Sequence, residues 1–239
     1  MMKDPYWWTV KEFRNRAVRL DEIREYIERL TFIKEKKDVK QIIEYLVRND
    51  LAVRVVEDIY FIKDPFYDPP SFVVLARGLN KAGVRWYYGL LSAYMNGRMV
   101  QQGFSGEVVI NNKYSGKRKL GGKKYGVNVY FVKTTREEMY KFGLEEVREG
   151  IWVSDPEKTI LDFIYFSYYG TFPFFIIQEV VLSYFDPDNS LMTARGRNYR
   201  RMKEYLKYYP KFVRNELYGM IREWELYYYD KKIKEVFEV

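Results

Sequence analysis

Three carboxylates and a lysine fall within eight residues, Asp155, Glu157, Lys158 and Asp162, with Pro156 among them. Such a set is the raw material of magnesium-assisted nucleic-acid chemistry, in which acidic oxygens share an ion. On a helix, however, Glu157 and Asp162 point about 140° apart, and Asp155 lies about 10 Å along the axis from Asp162. The same residues also make a helix start. Asp155 stands ahead of a proline at the first helical position, Ser154 with Glu157 fits the S-x-x-E capping box, and Ile160, Leu161, Ile164 and Tyr168 continue an apolar face. Geometry favours the capped helix over a catalytic floor. Lys158 and Asp162, four apart, are expected to form an exposed pair worth roughly a few tenths of a kcal/mol.

The chain has no cysteine and no histidine. Thiolate nucleophiles, imidazole bases, disulfides and the usual structural zinc sites are therefore excluded, leaving carboxylate–magnesium chemistry, a Ser–Lys pair, or no chemistry. Little catalytic equipment remains, and no cofactor is expected. The longest stretch without a formal charge, 163–178, contains Gly170 and Pro173 and is shorter than a spanning helix needs, so no membrane association is expected. An acid and a proline near the N-terminus, where a signal peptide needs an apolar core, point to a cytoplasmic protein. Absent cysteine with abundant Lys, Glu, Arg and Tyr is a thermophile-like composition.

The net charge of +8 is unevenly spread. Residues 1–70 balance at 14 basic and 14 acidic side chains, whereas 71–135 hold 11 basic and 1 acidic. A segment this basic attracts a polyanion, and nucleic acid is the commonest one, although a soluble thermophile surface would look similar. Within it, Lys113, Lys117, Arg118, Lys119, Lys123 and Lys124 alternate with glycines in a stretch that reads as a loop between strands. Glycines let the backbone approach phosphate while lysines supply point charges, yet the spacing matches neither a P-loop nor G-x-G-x-x-G. A lysine-solubilised hairpin is the alternative. A second basic cluster lies at 195–201.

The elements that would position these groups follow from periodicity. Thr9 with Glu12 forms a capping box ahead of Val10, Phe13 and Ala17, predicting a helix near 10–18. Asp21 is the expected N-cap of a second helix carrying Ile23, Ile27 and Leu30. Val39, Ile42, Ile43, Leu46 and Val47 define a third, whose other face holds Lys36, Lys37, Lys40, Gln41, Glu44 and Arg48. Two β-branched runs around Glu57-Asp58 then read as a tight hairpin. Three helices and a hairpin are the order of a winged helix-turn-helix, in which the third helix enters the major groove. A small packing or protein-contact domain has the same order. Three prolines between 65 and 70 predict a linker. Beyond it, 71–79 and 82–97 read as helical, 107–111 and 124–134 as strands, and the chain from 174 onward as long helices.

The predicted fold class is thus α+β: an N-terminal winged helix-turn-helix (1–64), a Pro-rich linker (65–71), a mixed α/β core (72–180) and a C-terminal helical region (181–239).

"VSDPEKTILDFIYF", with "YGVNVYFVKT", "YKFGLEEVREG" and "YYGLLSAYMNG" before it, resembles the core of the AbiEi-type antitoxins, transcriptional regulators of abortive-infection, type IV toxin–antitoxin systems. The family's D-P-E-(K/R)-x-x-L-D pattern falls on Asp155, Pro156, Glu157, Lys158, Leu161 and Asp162. Leu91-Ser92-Ala93 departs in order from the family's S-A-L element, and Glu57-Asp58 stands where a basic or glycine wing tip is usual. The resemblance spans about residues 20–180. It implies a non-enzymatic repressor that binds double-stranded DNA at its own operon and opposes a nucleotidyltransferase-like toxin. Independently of the resemblance, the polar face of the third helix and the basic middle segment lead to expected DNA contacts from Lys36, Lys37, Lys40, Gln41 and Arg48, with Lys113, Lys117, Arg118, Lys119, Lys123 and Lys124 on flanking phosphates. The residues by themselves leave two other readings open: a magnesium-dependent nuclease or nucleotidyltransferase using Asp155, Glu157 and Asp162, and an RNA- or protein-binding module drawing on the 19% aromatic content.

Overall fold

The computed structural model describes residues 5–30, 38–96, 106–121, 126–148, 150–171, 174–186, 196–225 and 235–237. The protein is a mixed α/β chain that divides into two compact units, Met1–Arg85 with Gly116–Val129, and Trp86–Ser115 with Tyr130–Val239.

The first unit begins with α1 (Pro5–Phe13), β1 (Arg16–Arg19), α2 (Leu20–Arg29), α3 (Val39–Arg48), β2 (Ala52–Val56) and β3 (Ile59–Ile62). The first helix starts five residues earlier than periodicity predicts. Thr9 is inside it, donating its hydroxyl to the Pro5 carbonyl at 2.8 Å rather than capping, and the segment 16–19 is a strand. That strand exists because β3 pairs with it: the antiparallel sheet runs β1-β3-β2, with Val18 opposite Tyr60 and Arg54 opposite Tyr60. Two residues, Glu57 and Asp58, close the β2–β3 hairpin, and Glu57 takes a positive φ of 40°. The helical trio covers one face of this sheet, burying Ile23, Ile27, Ile42, Ile43 and Leu46 against Val18, Ala52 and Ile62.

The opposite face, with Val53, Val55, Ile59 and Phe61, is also buried. It is met by α4 (Ser71–Lys81), which contacts all three strands. Gly78 presses against the Val55 side chain, the Arg77 guanidinium lies 5.9 Å over the Phe61 ring, and Lys81 pairs with Glu22 at 2.6 Å. The Pro-rich stretch therefore joins elements of one unit, and the chain divides after Arg85.

In the second unit the segment that reads as one helix, 82–97, is instead β4 (Trp86–Tyr88) followed by the short α5 (Leu91–Asn96). Leu90, at φ 52°, turns the chain between them, and β4 is drawn into a sheet by β5 (Glu107–Asn111) on one side. Further strands are β7 (Val127–Lys133), β8 (Leu144–Arg148) and β9 (Ile151–Ser154); β6 (Gly116–Leu120) belongs to the first unit, and the strand order is β6-β7-β5-β4-β9-β8. β4 and β9 are parallel, and β8–β9 is an antiparallel hairpin.

Out of β9 rises α6 (Pro156–Tyr168). It is capped as its residues predict, with the Asp155 carboxylate accepting from the Lys158 amide at 2.7 Å and Pro156 in the first turn. From Pro156 to Phe166 every residue is buried, because α5, α7 (Phe174–Phe185), α8 (Tyr199–Tyr205) and α9 (Lys211–Glu225) all pack on it. This helix is the axis of the second unit's core.

Candidate nucleic-acid interface

The hydrophobic spacing of α3 decides which side chains it shows. Val39, Ile42, Ile43 and Leu46 are buried, and at about 100° per residue their mean direction leaves Gln41, Glu44, Tyr45 and Arg48 pointing outward, with Lys40 and Val47 on one flank. All six of these outer residues are exposed. Asp38 caps the helix, accepting from the Lys40 amide at 3.0 Å, which places a carboxylate on the positive end of the helix dipole. Glu44 and Arg48 pair at 3.6 Å, and the Tyr45 ring meets Tyr6 of α1 with centroids 4.0 Å apart. Periodicity counts Tyr45 as apolar, because an aromatic within an amphipathic helix usually packs inward, whereas here the residue is 43% exposed. Lys36 and Lys37 lie outside the described residues.

The basic stretch expected as a loop is partly a strand. Lys117, Arg118 and Lys119 sit in β6, at one edge of the sheet, and all three are exposed. An edge strand rich in lysine resists unwanted pairing as well as presenting charge. Lys113 is exposed and lies in the second unit, its ammonium 5.2 Å over the Tyr114 ring, so it does not belong to the same unit as β6. Lys123 and Lys124 lie outside the described residues.

In the first unit a cleft of about 990 Å³ joins two of these features. Val47 and Arg48 of α3 line it together with Leu120 and Gly121 at the end of β6. The last turn of the third helix and the end of the basic strand are therefore neighbours. Lys63, which also lines the cleft, is held between Asp50 at 3.1 Å and Asp68 at 3.0 Å. Burial pushes the Lys63 ammonium down, but the hydrogen bonds and charges of Asp68 and Asp50 together outweigh it and hold the group above its ordinary value.

The acidic motif of α6 is something other than the sequence implies. Lys158 and Asp162 do not form a surface pair; both side chains are fully buried, 3.3 Å apart. Packing on all sides of the helix, which no local pattern reports, is the reason. Asp162 accepts hydrogen bonds from the Tyr87 hydroxyl at 2.9 Å and from the Tyr209 hydroxyl at 2.6 Å. The Lys158 ammonium rests against three rings, 4.3 Å from the Phe142 centroid, 4.7 Å from Tyr87 and 5.7 Å from Tyr209. Burial pushes the Asp162 carboxyl above its usual value and the Lys158 ammonium below, while their mutual attraction opposes both shifts.

Asp155 and Glu157 form the other half of the cluster. Arg201 places Nη1 3.4 Å from Asp155 and 3.7 Å from Glu157, Tyr205 donates to Asp155 at 2.8 Å, and Tyr184 donates to Glu157 at 2.8 Å. The Asn198 amide adds a further bond to Glu157 at 3.0 Å. Burial raises both carboxyls above their ordinary range, and these donors partly offset it. Each of the three acids is thus already engaged by a cation and at least one hydroxyl. Among the described residues no three metal-ligating side chains group so as to hold an ion. The basic cluster at 195–201 pointed toward Arg201; the four tyrosines carried no signal, being distant in sequence from α6.

No protein-family model matches the chain, and no curated protein matches it. Among solved structures it is similar to the crystal structure of the Rv2827c protein from Mycobacterium tuberculosis, with 14% identity and a TM-score of 0.46 over 90% of this chain and 79% of that one. Among the described residues no helix is long and apolar enough to cross a membrane.

Proposed function

We propose that the first unit is a winged helix-turn-helix and that the protein is a non-enzymatic, cytoplasmic repressor that binds double-stranded DNA. The observation that carries this reading is α3: in the element order helix, strand, helix, helix, hairpin, it buries one stripe and leaves Lys40, Gln41, Glu44, Tyr45 and Arg48 outside. A helix with one exposed polar face fits the major groove, which admits a helix and displays a distinct pattern for every base pair. Lys117, Arg118 and Lys119 supply sequence-independent phosphate contacts beside it. The hairpin tip contributes none, because Glu57 and Asp58 would repel phosphate and the Asp58 carbonyl is tied to the Leu20 amide at 3.0 Å.

An antitoxin role, with autoregulation of an operon that also encodes a nucleotidyltransferase-like toxin, rests on the likeness of Asp155, Pro156, Glu157, Lys158 and Asp162 to the AbiEi-type motif. In this reading the motif acts as the structural centre of the second unit rather than as a reaction site, since its acids are consumed by internal partners.

Fluorescence anisotropy with labelled duplex DNA from upstream of the reading frame, measured across a salt series, tests the proposal. Replacing Lys117, Arg118 and Lys119 together by alanine should weaken binding to all sequences alike and flatten the log–log salt slope by up to about 3 units. A wild-type protein that shows no salt-dependent duplex binding would end the DNA reading, and an unchanged slope in the triple variant would remove β6 from the interface.

A further inference from the structure

Resting on the winged-helix reading, the geometry points to Gln41 and Arg48 as the pair of side chains that sets sequence preference, with Glu44 as the positioning residue for Arg48. Gln41 and Arg48 are seven positions apart, which is two helical turns less about 20°, so both leave the helix in nearly the same outward direction. Lys40 departs by about 100° from Gln41 and lies on the flank beside Val47, where a flexible ammonium reaches phosphate rather than base edges. Tyr45 is held by its contact with Tyr6, and Glu44 is held by its pair with Arg48.

The chemistry of the two outward groups differs in a useful way. A glutamine amide matches the N6 donor and N7 acceptor of adenine, and a guanidinium matches O6 and N7 of guanine. At 1.5 Å per residue the two positions are about 10.5 Å apart along the helix. With about 3.4 Å per base pair, this spans about three base-pair steps. The inferred recognition element is therefore an A·T pair and a G·C pair separated by about two intervening pairs. Glu44 places a carboxylate 3.6 Å from the guanidinium, and this exposed pair biases the orientation of Arg48 before it meets guanine. The same carboxylate repels phosphate, so it trades affinity for discrimination.

Selection from a randomised duplex library, followed by affinity measurement on single-base variants of the enriched sequence, tests the inference with the full chain. Gln41→Ala should abolish the preference at the A·T position alone, and Arg48→Ala that at the G·C position alone, each by roughly 5- to 100-fold. Glu44→Ala should tighten binding to random DNA while lowering the ratio of specific to random binding, a combination that loss of structure would not produce. All three positions are exposed, and circular dichroism checks the fold of each variant. An enriched motif left intact by both Gln41→Ala and Arg48→Ala, or weakened uniformly, overturns this assignment while leaving DNA binding in place. Failure of the wild-type chain to enrich any duplex overturns the assignment and the reading beneath it together.

Discussion

Asp162→Asn removes one charge from a fully buried pair while keeping the side chain's shape. In the native protein the carboxylate receives three donors: Lys158 at 3.3 Å, Tyr87 at 2.9 Å and Tyr209 at 2.6 Å. Breaking a buried pair on one side costs about 3 to 5 kcal/mol, because the remaining charge has lost both water and partner. The aromatic rings around the Lys158 ammonium moderate this, since a desolvated cation over a ring is worth about 2 kcal/mol. A loss of about 3 kcal/mol is expected, a large share of a typical 5 to 15 kcal/mol stability. Adding Lys158→Met should then recover stability, for the double variant buries no charge at that point and retains an amide oxygen for a tyrosine hydroxyl. Urea unfolding followed by circular dichroism, run as a double-mutant cycle, reads the coupling directly. A double variant less stable than Asp162→Asn alone, or single effects that simply add, would refute the account of Lys158 as a cation dependent on Asp162. Duplex affinity should stay unchanged in every member of the cycle that remains folded.

The Glu157 carboxyl is raised above its ordinary value of 4.5 by burial, so as pH rises the folded state gives up this proton later than the unfolded chain does. This linkage favours folding fully below about 4.5 and is lost as pH rises through the folded value. Relative to Glu157→Gln, which stays neutral, the wild-type protein should therefore lose stability as pH rises above about 4.5; a pH-independent difference in urea midpoints would contradict it. Gly78→Ala would place a methyl carbon closer than 3.0 Å to the Val55 side chain, and both neighbours are enclosed by the β1-β3-β2 sheet and α4. Overpacking of that contact should cost about 1 to 3 kcal/mol in urea unfolding, and an unaltered midpoint would mean that α4 is not seated on the sheet.

The third helix and the hairpin after it were legible in the residues alone. Val39, Ile42, Ile43 and Leu46 repeat at helical spacing, and two β-branched runs flank two turn residues, so neighbours within one or two turns determine the outcome. The cap of α6 was legible for the same reason, since Asp155, Pro156 and the Lys158 amide are adjacent. β1 was not, because a four-residue strand is stabilised only by the partner that hydrogen-bonds to it, here β3, more than forty positions along the chain. β4 and β6 were misread for a related cause: their place is set by strands brought beside them, not by their own propensity. The pair Lys158–Asp162 shows the limit most sharply. Spacing established that the two side chains meet, but whether they meet in water or in the core depended on Tyr87, Phe142, Tyr209 and the helices around them. Local sequence acts through torsions and contacts a few residues long, whereas desolvation is imposed by surfaces that only the folded chain assembles.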